Sequence, residues 1–236
     1  MARKPHKSPK TSQHDPLFDN FNLEAKGSGT QAEARLDWEA GKNLVLTGYA
    51  GTGKTYLALA LALQAMMAGE VRHIHIVRSA VSSRDIGHLP GTEAQKLEVY
   101  ERAIKSNFNK ILKRADAYEC LKLKGAVSFG STSFERGVTY DKTCIIVDEF
   151  QNASFAELDT VVTRLGNDSR IIFCGDTRQT DLSPGKSGFH RFVRIADACG
   201  KFFIRHEFGI EDIVRSGLVK AWIIAAEDDA IKNNPT

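Results

Sequence analysis

The stretch from Leu44 to Thr55 reads LVLTGYAGTGKT, an apolar run followed by a glycine-rich loop. Its last eight residues fill every required position of the phosphate-binding pattern G-x-x-x-x-G-K-[ST]. Helix-forming leucines and alanines follow from Tyr56 to Met67, so the order is strand, loop, helix. Glycines let consecutive backbone N–H groups surround a polyphosphate, and the positive end of the helix strengthens their field. The stretch therefore predicts a binding site for a nucleoside triphosphate.

The residues of this loop have separate expected roles. Lys54 would neutralise the β and γ phosphates, and the Thr55 hydroxyl would bind Mg²⁺. The loop backbone is expected to bind the phosphates through four residues, Ala50, Gly51, Thr52 and Gly53.

Two later apolar runs also end in polar side chains. Residues 144–147 lead into Asp148 and Glu149, and residues 170–174 lead into a polar segment that contains Gln179. A hydrolytic site needs one carboxylate near Mg²⁺ and a second group that orients or activates water. Asp148 fits the first role and Glu149 the second, while the Gln179 amide could contact the γ phosphate or the attacking water.

The elements around these runs predict an α/β fold. Apolar, strand-like segments occur at 43–47, 73–77, 143–147, 170–174 and 201–204, and helical patterns separate them. Short apolar runs alternating with helices indicate a mostly parallel sheet with helices on both faces, in three layers. Ligands of such sheets bind beyond the carboxyl ends of the strands, where all the polar residues above are expected.

Local signals predict several helix boundaries. Three residue pairs have the spacing of a capping box: Thr30 with Glu33, Thr92 with Gln95, and Ser154 with Glu157. The first pair predicts a helix through Trp38. The second predicts a helix with one buried face, formed by Leu97, Tyr100, Ile104, Phe108 and Ile111. A final helical stretch is expected over 210–227, broken near Gly217.

Composition and charge narrow the class of protein. Of the 236 residues, the first 14 contain four basic and no acidic side chains, which predicts a flexible basic tail over 1–22 and one domain over 23–236. The tail is either a solvated terminus or an arm that touches nucleic acid. The four cysteines lack C-x-x-C spacing, which favours buried reduced thiols. No apolar run is long enough to cross a membrane, and a cytoplasmic protein without a membrane partner is expected.

Taken together, the motifs resemble those of the PhoH-like family, RecA-like P-loop ATPases related to superfamily 1 helicases. The matching pieces are Gln31, 48–55 (GYAGTGKT), 87–91 (GHLPG), 136–137 (RG), 148–152 (DEFQN), 163–166 (TRLG), 175–176 with Gln179, and 212–215 (DIVR). The combination of DEFQN with GHLPG is more discriminating than a phosphate loop alone. The chain departs from the family pattern at Tyr49, Ser79 and Phe150, none of which has an obvious chemical role.

This resemblance implies a RecA-like fold and Mg²⁺-dependent ATP hydrolysis. It implies that Gln31 reads adenine, that Gln179 senses the γ phosphate, and that Arg215 stabilises charge in the transition state. Other arginines could fill that last role: Arg78, Arg136, Arg164 and Arg178. It also implies a homo-oligomer, with a hexameric ring as the expected form.

Two functions remain open for such an ATPase. The first is remodelling or unwinding of RNA or single-stranded DNA, which the resemblance and the basic tail favour. Residues 96–124 also favour it, because they contain eight basic side chains against four acidic ones. The second is a nucleotide-dependent switch or scaffold that acts on a protein partner. A single RecA-like unit argues against motor activity, because superfamily 1 motors normally use two such units. In a ring, a neighbouring subunit could take the place of the second unit.

Overall fold

The computed structural model describes residues 15–19, 21, 29–79, 93–132, 137–176 and 186–233. This part of the chain contains six strands: β1 (Asn43–Gly48), β2 (His73–Arg78), β3 (Val127–Ser131), β4 (Thr143–Asp148), β5 (Arg170–Cys174) and β6 (Phe203–Phe208). It contains seven α-helices: α1 (Thr30–Glu39), α2 (Lys54–Met67), α3 (Glu93–Ile111), α4 (Ala117–Leu123), α5 (Phe155–Val162), α6 (Phe189–Ala198) and α7 (Gly217–Asn233).

The strands form one parallel sheet in the order β3-β2-β4-β5-β1-β6. Strand β5 lies between β1 and β4, so the phosphate loop after β1 and the acidic residues after β4 emerge two strands apart at one edge. Because every strand runs the same way, all of their carboxyl ends meet at that edge.

Two apolar layers cover the sheet, one on each face. Within β1, Leu44 and Leu46 face the layer formed by α1 to α4, while Val45 faces the layer that includes α5 and α6. This alternation follows from the two-residue repeat of a strand. The predicted three-layer, RecA-like α/β fold with a parallel sheet and helices on both faces is confirmed.

Two further predictions about helices are also confirmed. The capping box of Ser154 and Glu157 begins α5, and the face of α3 that contains Ile104 and Phe108 is buried. The proposed capping pair of Thr92 and Gln95 lies outside the described side chains. Leu17, which falls within the predicted tail, belongs to a short 3-10 helix over Pro16–Phe18 and is buried in the core.

Three predicted boundaries are wrong, each because of a tertiary contact. Gly29, rather than Thr30, is the N-cap of α1, since the Thr30 hydroxyl donates to Oδ2 of Asp212 at 3.0 Å. The last strand is Phe203–Phe208, because residues 203–208 pair with the whole of β1. The final helix begins at Gly217, since residues 209–216 form a turn that hydrogen-bonds to the phosphate loop.

Three elements were not predicted. Strand β3 reads VSFGS, in which only Val127 and Phe129 are apolar, and it is an outermost strand of the sheet. Helix α4 has only seven residues, whereas α6 has Phe189, Phe192, Val193 and Ala196 at the i, i+3, i+4 and i+7 spacing of a helix, a signal that the sequence analysis missed. Within the described residues, no helix is both long and apolar enough to span a lipid bilayer.

Candidate nucleotide-binding site

The phosphate loop joins β1 to α2 through three glycines with positive φ. The angles are 118° at Gly48, 75° at Gly51 and 83° at Gly53, in the region that favours glycine. Gly48 also has no room for a side chain, since a Cβ there would lie 2.1 Å from the carbonyl oxygen of Phe208 on β6. The glycines that the motif requires are therefore required by this backbone as well.

Lys54 is the first residue of α2, and its side chain is almost completely buried beneath the phosphate loop. Its ammonium group donates to the carbonyl oxygens of Gly48 at 2.8 Å and Tyr49 at 2.6 Å. Burial lowers the pKa of Lys54, and the charge of nearby Asp176 acts in the opposite direction. A cation held by carbonyl dipoles under a glycine loop is suited to meet an anionic ligand.

Asp148 ends β4 and receives two donors. The Thr55 hydroxyl donates to its Oδ1 at 2.8 Å, and Arg78 lies 3.4 Å from its Oδ2. Burial, together with the charge of Glu149, raises the pKa of Asp148, while Arg78 and Thr55 oppose that rise. A hydroxyl and a carboxylate side by side are the hard oxygen ligands that Mg²⁺ prefers. A divalent cation would also relieve the unfavourable burial of this carboxylate.

Two adjoining cavities open above these residues at the carboxyl edge of the sheet. The first has a volume of about 320 Å³, and the phosphate loop, Asp148, Glu149 and Asp176 line it. The second has a volume of about 350 Å³ and is lined by Gln31 and Asn107. Gly51, Gly53 and Arg215 border both cavities. The two cavities together have the size of a site for a small, extended ligand, with charged groups lining the first cavity and a more apolar lining in the second.

Gln31 and Arg215 reach the loop from opposite ends of the chain. The side-chain amide of Gln31 on α1 donates to the carbonyl oxygen of Thr52 at 3.0 Å. The turn before α7 is anchored by the Val214 N–H, which donates to the carbonyl oxygen of Gly51 at 3.1 Å. Arg215 therefore lies over the phosphate loop of its own chain, with its Cγ 2.9 Å from the position of a Cβ on Gly51.

Helix α3 supplies a wall of the site that the motifs do not indicate. Asn107 borders both cavities, and Ala103 and Ile104 border the first. The guanidinium of Arg78 lies 4.0 Å from the ring centre of Tyr100 on the same helix. The three-residue spacing of Ile104 and Asn107 is visible in the sequence. The sequence does not show that this face of α3 borders the cavities.

The predicted site residues divide into three groups. The structure brings together Gln31, Ala50, Gly51, Thr52, Gly53, Lys54, Thr55, Asp148, Glu149 and Arg215. Among the alternative arginines, Arg78 lines the first cavity, whereas Arg164 is absent from the described walls of both. Gln179, Arg136, Arg178 and the 87–91 segment lie outside the described residues.

Comparison with known proteins agrees with the motif pattern. The family model of PhoH-like proteins matches residues 28–227. The chain belongs to the PhoH-like protein family. It is 36% identical over 190 residues to a PhoH-like protein of Bacillus subtilis (strain 168), covering 77% of this chain and 56% of that protein. The predicted resemblance is confirmed.

Two further comparisons show how much of each protein the similarity covers. This PhoH-like chain is 33% identical over 200 residues to the protein PhoH of Escherichia coli (strain K12), covering 79% of this chain and 54% of that one. It spans about half the length of these curated relatives. Among solved structures, the large terminase of a thermophilic bacteriophage in complex with ADP has a TM-score of 0.49 and 12% identity. That match covers 82% of this chain and 48% of the terminase chain.

Proposed function

We propose that this chain is a Mg²⁺-dependent ATPase. One observation carries the proposal: the cation of Lys54 and the hydroxyl of Thr55 share one cavity with the carboxylates of Asp148 and Glu149. Phosphoryl transfer to water needs a cationic cradle, a metal site and a group that orients the water, and these residues supply all three kinds.

Each residue has a defined task in this proposal. Lys54 exchanges its bonds to the Gly48 and Tyr49 carbonyls for bonds to phosphate oxygens. Thr55 and Asp148 would hold Mg²⁺, which would neutralise charge on the phosphates. Glu149 accepts a hydrogen bond from the attacking water and orients it towards the phosphorus. Gln31 lies at the second cavity, where it contacts the adenine ring.

Release of inorganic phosphate from ATP tests this proposal. We expect Lys54→Ala to abolish release, and Glu149→Gln to bind ATP while hydrolysis collapses. Lys42→Ala is the control, because Lys42 lies at the opposite end of β1 and donates to the carbonyl oxygen of Lys201. A wild-type chain that releases no phosphate from any nucleotide would refute the proposal, and normal hydrolysis by Glu149→Gln would refute the role of Glu149.

We further propose that ATP hydrolysis is coupled to remodelling or unwinding of RNA or single-stranded DNA. The surplus of basic side chains in residues 96–124 supports nucleic-acid binding less than the sequence indicates, because five of the basic side chains in this segment are in ion pairs. The pairs are Arg102–Glu98, Lys105–Glu119, Arg114–Asp116, Lys122–Glu101 and Lys124–Asp15. A phosphate backbone would have to compete with these carboxylates.

Helix α6 offers a better surface for a nucleic acid. His190, Arg191 and Arg194 are exposed on it, and no described carboxylate pairs with either arginine. The Arg191 guanidinium stacks 3.8 Å from the ring centre of Phe155. The start of α6 is tied to the segment after β4, since the Gly188 N–H donates to the carbonyl oxygen of Ala153 at 2.8 Å. A cationic surface with an aromatic ring suits a single strand, and here it lies beside the carboxyl edge of the sheet.

Stimulation of the ATPase by nucleic acid tests this second proposal. We expect RNA or single-stranded DNA to raise the rate, with a gain that shrinks as salt increases. Substituting Arg191 and Arg194 by glutamine together should reduce the gain, whereas the same change at the ion-paired Arg102 and Arg114 should reduce it less. A flat response at low salt would refute coupling to nucleic acid.

We also propose that the chain forms a homo-oligomer in the cytoplasm, with a hexameric ring as the expected form. Helix α7 supports association, because it leaves Leu218 80% and Trp222 74% exposed. The same observation favours the alternative function, a nucleotide-dependent switch or scaffold that binds a protein partner. Light scattering of the wild type and of Trp222→Glu tests the ring. A hexamer that the substitution disrupts would support the ring, and a wild-type monomer in every nucleotide state would refute it. The switch is favoured instead if RNA and single-stranded DNA fail to stimulate the ATPase at low salt.

A further inference from the structure

The side chain of Gln151 is buried between two loops that end neighbouring strands. Its Nε2 donates to Oε2 of Glu149 at 2.5 Å, and its Oε1 accepts from the Asp176 N–H at 3.0 Å. Only 3% of the residue is exposed. Gln151 therefore links the carboxylate that follows β4 to the backbone that follows β5.

These two hydrogen bonds define the orientation of the amide group. Rotating the amide by 180° would place its oxygen against the Glu149 carboxylate and its NH₂ group against the Asp176 N–H. Both contacts would then join like groups, two acceptors and two donors. The observed orientation satisfies both neighbours, so the NH₂ group is directed at Glu149.

Close packing leaves Gln151 little freedom to move. A Cβ on Gly175 would lie 2.9 Å from its Oε1 and 2.6 Å from the ring of Phe150, so only a glycine lets the backbone approach this closely. The backbone of Gln151 is held as well, because the Ser187 hydroxyl donates to its main-chain carbonyl oxygen at 2.8 Å. The amide is thus fixed before any ligand binds.

We propose that Gln151 is a positioning residue for ATP hydrolysis, which holds the Glu149 carboxylate towards the water through the amide contact to Asp176. This inference rests on the proposed ATPase function. Glu149 has three rotatable side-chain bonds and a left-handed backbone, with φ of 51° and ψ of 44°. A charge-assisted hydrogen bond to one carboxylate oxygen restricts its rotation and leaves the other oxygen for water.

Two substitutions of similar length test the proposal. Gln151→Met removes both hydrogen bonds, and Gln151→Glu replaces the donor by a second carboxylate. We expect kcat to fall about 10- to 100-fold in Gln151→Met and further in Gln151→Glu. The affinity for ATP, measured with a fluorescent ATP analogue, should not change, because residues 48–55 make the phosphate contacts.

Ser154→Ala is the matched control for a purely structural effect. Its hydroxyl caps α5, three residues along the chain, by accepting from the Glu157 N–H. The control should lower the melting temperature with little change in kcat. In addition, Gln151→Met should cause no further loss of single-turnover rate in the Glu149→Gln background, since Gln151 acts through that carboxylate.

The outcomes separate this inference from the ATPase proposal. A wild-type chain without phosphate release would overturn both. An active wild type with unchanged kcat in both Gln151 variants would overturn the positioning role alone. Parallel losses of ATP affinity and kcat, or loss of the melting transition in both variants, would assign Gln151 a structural role and overturn the inference as well.

Discussion

The hydroxyl of Thr55 donates a hydrogen bond to Oδ1 of Asp148 at 2.8 Å, although 93 residues separate the two in the chain. The bond joins the first turn of α2 to the end of β4, across the position of β5 in the sheet. It places a hydroxyl and a carboxylate oxygen together at the wall of the first cavity. The two halves of the proposed metal site are therefore already adjacent.

We expect Thr55→Ala and Asp148→Asn to raise the Mg²⁺ concentration needed for half-maximal phosphate release. The rise should be about 10- to 100-fold, because each change removes one oxygen ligand. Thr55→Ser should keep the requirement near that of the wild type, since it keeps the hydroxyl. Thr163→Ala serves as a control, because that hydroxyl only donates to carbonyl oxygens within α5. An unchanged Mg²⁺ requirement in both variants would contradict this site.

Arg215 is expected to act on the nucleotide bound by its own chain. Arg215→Ala should lower kcat by about 10³-fold, the low end of the effect of a transition-state arginine. Mixing this variant with Lys54→Ala should restore no activity, since neither chain then has a complete site. Arg35→Ala is the control, because Arg35 pairs with Glu39 on the surface of α1. Recovered activity in the mixture would show that Arg215 serves a neighbouring chain instead.

Gly48 should be required for stability as well as for binding. Gly48→Ala places a methyl group 2.1 Å from the Phe208 carbonyl oxygen, so β6 would have to move. We expect a loss of about 3 kcal/mol or more in the free energy of unfolding. Gly69→Ala is the matched control, because Gly69 has a φ of 75° with open space around it, and should lose only about 1 kcal/mol. Equal losses in urea unfolding would contradict the steric argument.

Glu101 should make stability depend on pH in the acidic range. Burial alone would raise the pKa of Glu101, but hydrogen bonds from Lys122 and Tyr118 outweigh it and the pKa is lowered. A carboxyl with a lowered pKa stabilises the fold above its unfolded pKa of about 4.3, and that contribution is lost as pH falls through the folded pKa.

Glu101→Gln should therefore lower the urea midpoint at pH 7, and the difference from the wild type should disappear as the pH falls below about 4. Glu98→Gln should change the midpoint little at either pH, because Glu98 pairs with Arg102 at an exposed position. A difference for Glu101→Gln that persists unchanged into acid would contradict the ionic origin of its contribution.

Much of the proposed site is local in the sequence. The loop glycines, Lys54 and Thr55 follow one strand directly, and Asp148 and Glu149 follow another. Parallel strands bring such ends to one edge, so their meeting could be predicted without coordinates. Helix boundaries were less predictable, since the capping of α1 depends on Gly29 and on Asp212 from the far end of the chain.

The chemistry of the phosphate loop and the parallel α/β fold could be predicted from the sequence, because both depend on patterns among near neighbours. The tertiary structure was needed to show that Asn107 borders the cavities, that Lys105 of α3 and Lys122 of α4 are in ion pairs, and that Gln151 contacts both Glu149 and Asp176. These facts depend on the rotation of helices and on contacts between distant segments. A sequence pattern contains no distances between such segments, so these contacts become known only once the segments are packed together.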